Sequence, residues 1–401
     1  KPARLASLDA FRGLSVLLMM VADYAGPIFP AIGHAPWNGV HLADLVMPFF
    51  LFIVGVSVAI VYRAEKVPRR DEATWKALLR AMKLFLLGVF LQSGYLHGAA
   101  SLTYGVDVAE IRFLGILQRI AIGYIAAALC EIWLPCKRWR RGYGFSWQWC
   151  VMVLLCGLYS GLLYGLYVPD WEFKELQSNT TSHVYQVKCS VRGDLGPACN
   201  SAGMIDRYIL GINHLYKRPG YRNLKECKGS SSRGQVPETS PPWCHAPFDP
   251  EGILSSISAT VTCIIGLQYG HALTETQHHK GRIWNWSVSS FSLMGVGLLL
   301  SSLGMPLNKC LYTVSYQMVA SSAAGIAFCL LYITASTCYP LSVDVYGWWR
   351  WASCGVEWMG KHSLGIFILV SSNVVVILVQ GFYLEAPENN IVHWLITRLV
   401  H

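Results

Sequence analysis

Apolar residues gather along this chain into long runs separated by short polar connectors. Runs near the ~20 residues that cross ~30 Å of hydrocarbon fall at roughly 11–29, 42–62, 76–95, 111–134, 147–168, 252–273, 286–304, 311–334 and 358–382, and a tenth starts near Ile391. The pattern predicts an all-α polytopic membrane protein of about ten transmembrane helices. One long polar stretch, 169–250, rich in Gly, Pro and Ser, interrupts the series. The expected division is therefore 1–168 with five helices, 169–250 as a loop or cap, and 251–401 with the remaining helices.

Composition agrees. Of 401 residues, 53% are hydrophobic and 14% charged, against about 25% charged in soluble domains. The formal charge of +9 lies in short clusters between apolar runs and not in one stripe with interleaved aromatics, so it points away from nucleic acid and toward membrane orientation. Connectors 63–75 (Arg63, Lys66, Arg69, Arg70), 135–146 (Lys137, Arg138, Arg140, Arg141) and 274–285 (Lys280, Arg282) hold most of the short-loop basic charge. The positive-inside rule places them, Lys1, Arg4 and both termini in the cytosol. Segments 30–41, 96–110, 169–250, 305–310 and 383–390 then face a lumen or the exterior. The sequence does not start with Met and shows no signal-peptide pattern over 1–30, so an upstream segment is expected.

The 169–250 stretch carries four of the 13 cysteines, Cys189, Cys199, Cys227 and Cys244. An even number in a non-cytosolic loop favours disulfides, and the short spacings suggest Cys189 with Cys199 and Cys227 with Cys244. A zinc site is the competing reading, disfavoured because C-x₂-C spacing is absent. The sequon Asn179-Thr180-Thr181 supports a lumenal placement.

A charge near the bilayer centre costs about 2.5–3.5 kcal/mol on the insertion scale, so each is expected to face the bundle interior or a water-filled cavity. Arg12, Asp23, Asp44, Lys83, Arg112, Arg119 and Lys361 with His362 are the candidates. Lys83 and Lys361 lie close enough to a cytosolic end to snorkel. Asp23 and His34 are separated by three helical turns, but Gly26, Pro27 and Pro30 break the helix between them and allow the chain to fold back. A carboxylate on one imidazole nitrogen would fix the tautomer and raise the basicity of the other; the alternative is an interfacial or capping histidine. Gln118 and Arg119 sit about 10–12 Å into the membrane, where a guanidinium suits a phosphate or pairs with Asp44 or Asp23. Asp9 and Arg12 read as a local ion pair, Asp249 before Pro250 as a helix N-cap, and Glu251 as a partner for a cationic amine or the helix dipole. Intramembrane Asp, Arg and His also suit a proton- or solute-coupled transporter, and His41, His97, His271 and His362 a haem carrier.

The segments "RLASLDAFRGLSVLLMMVADYAG", "GHAPWNGVHLADLVMPFFLFIVGVS", "FLGILQRIAIGYI", "GMIDRYILGINHLY", "DPEGIL" and "MPLNKCLYTVSY" resemble, in order and spacing, the membrane acetyltransferases typified by heparan-α-glucosaminide N-acetyltransferase. The resemblance implies transfer of the acetyl group of cytosolic acetyl-CoA to a glucosamine-type amino sugar across the bilayer, in a lysosomal or vacuolar membrane and with no metal. It implies His34 as general base or acetyl carrier, with Asp23 beside it where the lysosomal enzyme carries asparagine, and Asn38 or a nearby backbone N–H is then the candidate oxyanion donor. Arg12, Asp44, Gln118, Arg119 and Lys361 become the expected acetyl-CoA residues, and Asp206, Asp249 and Glu251 the expected amino-sugar contacts. A homodimer is a further expectation, as is the absence of the large N-terminal lumenal domain of the lysosomal enzyme.

Overall fold

The computed structural model describes residues 6–26, 28–62, 69–92, 111–134, 147–176, 182–216, 219–227, 237, 240–338 and 347–372. His97, the sequon at Asn179, the basic connector 135–146 and the segment from Ile391 lie outside the described residues. The bundle is built from α1 (Ala6–Ala25), α2 (Leu42–Val61), α3 (Arg70–Gln92), α4 (Ile116–Trp133), α5 (Trp147–Gly165), α7 (Ile253–Glu275), α8 (His279–Ser302), α9 (Val314–Cys338), α10 (Gly347–Lys361) and α11 (Ser363–Ser371), and α6 (Ser201–Leu210) belongs to the inserted segment. Among the described residues six helices, α2, α4, α5, α7, α8 and α9, are long and apolar enough to cross a membrane. α1 and α3 have the length but carry more charge, including Asp9, Arg12 and Asp23 on α1.

Helix α7 is the central post. Its apolar window is 83% buried whereas that of α8 is 17% buried, which puts α7 inside the bundle and α8 at its periphery. α2 crosses α7 closely, and glycine makes it possible. A Cβ on Gly55 would lie 1.9 Å from the Cys263 carbonyl oxygen, and one on Gly266 would lie 2.1 Å from that of Phe52. Without side chains there, the two backbones meet directly, the small-residue route to helix association in an apolar solvent. Phe11, Phe52, Tyr269, Trp286 and Phe328 fill the remaining space with mostly edge-on ring contacts.

The segment between α5 and α7 is not wholly helical, which corrects the all-α expectation. β1 (Trp171–Leu176) pairs antiparallel with β2 (Ser182–Val187), with Trp171 opposite Val187 and Phe173 opposite Tyr185. These four residues share one face, the period-2 pattern of a half-buried strand, and Phe173 and Val187 pack with Ala198 and Ala246 in a small separate core. Disulfides Cys189–Cys199 and Cys227–Cys244 close this cap with the expected pairing, so these four thiols are not zinc ligands. The cap is seated on the chain before α2: Trp37 donates its indole N–H to Leu195 O at 3.0 Å and packs edge-on against Tyr221 and Phe248.

Two boundaries also differ from the hydropathy pattern. The run 358–382 is not one helix over its described part, because α10 ends at Lys361 and α11 begins at Ser363. α10 begins upstream in a Trp-rich stretch with Arg350, Glu357 and Lys361, a composition suited to an interface and invisible to a search for apolar runs. Helix α4 starts at Ile116, so Arg112 belongs to an irregular lead-in and not to a helix.

Candidate active site

Asp44 is the third residue of α2, where the first backbone amides lack helical partners. Its carboxylate accepts from the His41 amide at 2.9 Å, half of a capping box, and from the Ala35 amide at 3.1 Å. The other oxygen, Oδ1, meets His34 Nδ1 at 2.9 Å and Lys309 Nζ at 3.3 Å. The Asp44 side chain is 0% exposed while that of His34 is 53% exposed, so a buried anion carries a ring that reaches water. With Nδ1 donating to Asp44, the lone pair of the imidazole sits on Nε2.

Sequence spacing pairs His34 with Asp23; the fold pairs it with Asp44. The loop after α1 lies across the start of α2, where the Ala43 amide donates to Ile32 O at 3.1 Å and brings residues 32–35 beside Asp44. Asp23, exposed in the last turn of α1, stays near enough to interact with the charges of His34 and Lys309. Asp44, expected as an acetyl-CoA residue, has its carboxylate occupied inside the protein.

Pro48, one turn on, has no N–H for the Asp44 carbonyl. The hydroxyl of Tyr316 on α9, itself fully buried, donates to that carbonyl instead. A third helix thus repairs the helix that carries the carboxylate.

Lys309 comes from the turn between α8 and α9. The neighbouring Asn308 donates to Asn38 Oδ1 at 3.1 Å, and the Gly39 amide donates to Leu307 O at 2.8 Å, clipping this turn to the His34 loop. Asn38 is therefore held by Asn308. Tyr312 closes the turn with φ of 56°, in the left-handed region a bulky side chain avoids at a cost of about 1–3 kcal/mol. Its hydroxyl meets Thr262 at 3.1 Å and the Arg119 guanidinium lies over its ring. The motif around Lys309 was visible in the sequence, but nothing local marked the amine, since its partners are more than 260 residues away.

A second ionic cluster adjoins the first. Arg112 donates through Nε to Asp249 at 2.9 Å and through a terminal nitrogen to Asp249 and Glu251, each at 2.5 Å. Asp249 accepts from the Glu251 amide at 2.9 Å, and Gly252 takes the N-cap position of α7 that the sequence assigned to Asp249. Burial alone would raise the Glu251 carboxyl, but Arg112, Arg119 and Lys309 hold it below the usual range. Arg119 is committed to Pro250 O and to Ser255 Oγ. Gln118 is fully buried with neither amide atom partnered among the described residues.

Asp206 on α6 accepts from the Ile253 amide at 2.8 Å and so joins the cap to the start of α7. Burial pushes its carboxyl up to about 7, against the pull of the Ile253 N–H, Arg207 and Arg119.

At the opposite end of the bundle, Arg12, Ser57, Tyr62, Arg80, Lys83 and Tyr124 line a cavity of about 440 Å³. Arg12 pairs with Asp9 at 3.2 Å, as the sequence suggests, and donates to Ser57 at 2.6 Å. The cavity reaches inward to Val54, Leu87 and Ile120. Ten residues of α2, about 15 Å of helix, separate Val54 from Asp44. Arg80 escaped the sequence reading, and Lys83, read as a snorkelling residue, faces the cavity. Lys361 lies apart from that lining and meets Glu357 at 3.9 Å. Of the haem candidates, His271 is bound to Glu131 at 2.8 Å, and His41 caps the far end of the bundle.

The raised Asp206 carboxyl gives a stability prediction. The folded chain keeps this proton to about pH 7, whereas an unfolded Asp releases it near pH ~4. The contribution is therefore complete below pH ~4 and lost as pH rises toward 7. Thermal melts should show a higher Tm at pH 5 than at pH 7.5, and Asp206→Asn should shrink that difference; an unchanged difference would remove Asp206 as its source.

Residues 4–161, which include His34, Asp44, Arg80 and Lys83, match the family model described as "Heparan-alpha-glucosaminide N-acetyltransferase, catalytic". Along 397 residues the chain is 30% identical to human heparan-alpha-glucosaminide N-acetyltransferase, covering 92% of this chain and 52% of the human protein. The mouse protein of the same name is 28% identical over 394 residues, covering 91% of this chain and 53% of its own length. The chain spans about half the length of these curated relatives. Residues 4–161 thus carry the pattern of that catalytic family, and the similarity to the curated relatives runs along most of the chain.

Proposed function

We infer that this chain is a membrane N-acetyltransferase that takes the acetyl group of acetyl-CoA at one face of a bilayer and gives it to the amine of an amino sugar at the other. The observation that carries the reading is the pair of sites at opposite ends of α2: an imidazole held by a buried carboxylate, and a cavity ringed by Arg12, Arg80 and Lys83. Three cations match the phosphates of a nucleotide cofactor, and the cavity volume falls in the range of small-molecule sites. The long pantetheine arm would extend along α2 toward His34. The amide of Gln118, buried and without a partner among the described residues, in the half of α4 nearer His34, offers such an arm a polar contact within the apolar interior.

In this mechanism Asp44 fixes the His34 tautomer, and Nε2 accepts the proton of the attacking amine as the nitrogen bonds to the thioester carbon and the thiolate leaves. Asp44 stays ionised and steadies the imidazolium. Asp249 and Glu251 are tied to Arg112, so they would shape the acceptor pocket through that cluster and not as free carboxylates. The choice of an amino sugar as acceptor rests on the names of the relatives.

The test is acetyl transfer from labelled acetyl-CoA to glucosamine by the purified protein in detergent. His34→Ala should lower turnover at least ~100-fold, the usual scale of a lost general base, while acetyl-CoA still binds; near-wild-type turnover would remove the base assignment. Arg80→Ala should raise KM for acetyl-CoA with kcat largely kept, and an unaltered KM would move the nucleotide elsewhere. For Tyr316→Phe, leaving the Asp44 carbonyl unpaired costs about 1–3 kcal/mol, and the expected readout is a roughly tenfold fall in kcat at constant KM. A Tyr316→Phe enzyme with normal kcat would show that the repaired first turn of α2 is irrelevant to turnover.

A further inference from the structure

The Lys309 amine stands beside the base that the proposed reaction uses, at Nδ1 on the Asp44 side of the ring, while the acceptor amine is assigned to Nε2. Its Nζ is 2.8 Å from His34 Nδ1 and 3.3 Å from Asp44 Oδ1. Nδ1 either keeps its hydrogen toward Asp44 or accepts one from Lys309; it cannot do both. In the second state the structure already contains an amine donating to the catalytic imidazole. The Lys309 side chain is only 19% exposed, so water is largely excluded and His34 and Asp44 are the groups placed to receive its proton.

The turn that carries the amine has little freedom to withdraw it. Asn308 is fixed by Asn38 and by the Leu311 amide, and Tyr312 is held at positive φ between Thr262 and Arg119. Backbone strain of this kind persists where the surroundings impose one geometry. The constraint holds the Lys309 amine against the imidazole at which the proposed reaction takes place.

We propose that Lys309 is a self-acetylation site: in the absence of acceptor, this enzyme transfers the acetyl group of acetyl-CoA to its own Lys309 Nζ. The proposal rests on the acetyltransferase reading above. The Nζ–C bond forms as the thioester C–S bond breaks, and the bonding pair leaves with sulfur. Of the two protons the ammonium gives up, one passes by way of His34 to the thiolate and the other to solvent. The products are Nε-acetyl-lysine and the CoA thiol. Because an amide does not hand its acetyl group on to a second amine, the product is a dead end. The acetamide is uncharged, and Asp44 loses its ammonium partner, so the modified site is disarmed. An acceptor amine bound near Nε2 would consume the acetyl group first and protect the enzyme.

The experiment uses the full purified chain in detergent with deuterated acetyl-CoA, followed by proteolysis and mass spectrometry of the peptide containing Lys309. Without acceptor, one labelled acetyl group should accumulate on Lys309 while transfer activity measured afterwards falls in proportion. Glucosamine at saturation should slow the labelling at least tenfold, and His34→Ala should abolish it. Absence of label on Lys309 in a preparation that acetylates glucosamine would overturn the proposal and leave the enzyme reading intact. Equal labelling in wild type and His34→Ala would overturn it as well, since the acetylation would then be uncatalysed. A preparation that acetylates neither glucosamine nor itself would overturn both.

Discussion

The site depends on one buried negative charge. A carboxylate removed from water is costly unless every lone pair finds a donor, and Asp44 finds four: two backbone amides, an imidazole and an ammonium. Each donor comes from a piece of chain that has to be in place for the others to work. The amides fix the loop after α1, the imidazole is the group that the proposed reaction uses, and the ammonium ties in the α8–α9 turn. Placing this carboxylate in the first turn of α2 also lets the helix dipole favour its charge. The loop, the turn and the helix are thereby fixed together around a single group.

Helix α2 has two tasks at once. Its Gly55 face lies against α7 with the backbones almost touching, which locks it in depth and rotation. Its proline would weaken that rigidity just where the carboxylate sits, and the Tyr316 hydroxyl removes the defect. In the proposed reaction this stiffness matters, because the acyl group and the amine come from opposite ends of the same helix and meet at a position set by its register. The second cluster, Arg112 with Asp249 and Glu251, anchors the lead-in of α4 to the start of α7, where Asp206, accepting from the Ile253 amide, separately joins the cap to the bundle.

Charge balance links the two clusters. Lys309 contacts Asp44 and also helps to hold Glu251 ionised, while Arg119 packs on Tyr312 of the turn that carries Lys309. Two carboxylate centres thus share a small set of cations at one end of the bundle. A change of charge at any member is felt by the others through a medium of low dielectric.

The sequence by itself carried the long apolar runs of the bundle and the disulfide pairing, because each is written in local composition or spacing: hydrophobic runs and two close cysteine pairs; it singled out His34 as a candidate through the family resemblance. It also held the alternation of Trp171, Phe173, Tyr185 and Val187 that makes the small sheet, easily overlooked in a loop dominated by Gly, Pro and Ser. Which carboxylate meets the imidazole was a matter of tertiary structure, since helical spacing relates Asp23 to His34 only while the helix continues, and the chain turns back before that. The same holds for Lys309, Arg80 and Tyr316: their roles arise from contacts between helices distant in sequence, and no local periodicity encodes a distance across a bundle. Composition decides that a segment enters the membrane, but the partner of a buried charge is chosen by packing, where every polar atom without water must find whichever donor the fold brings within reach.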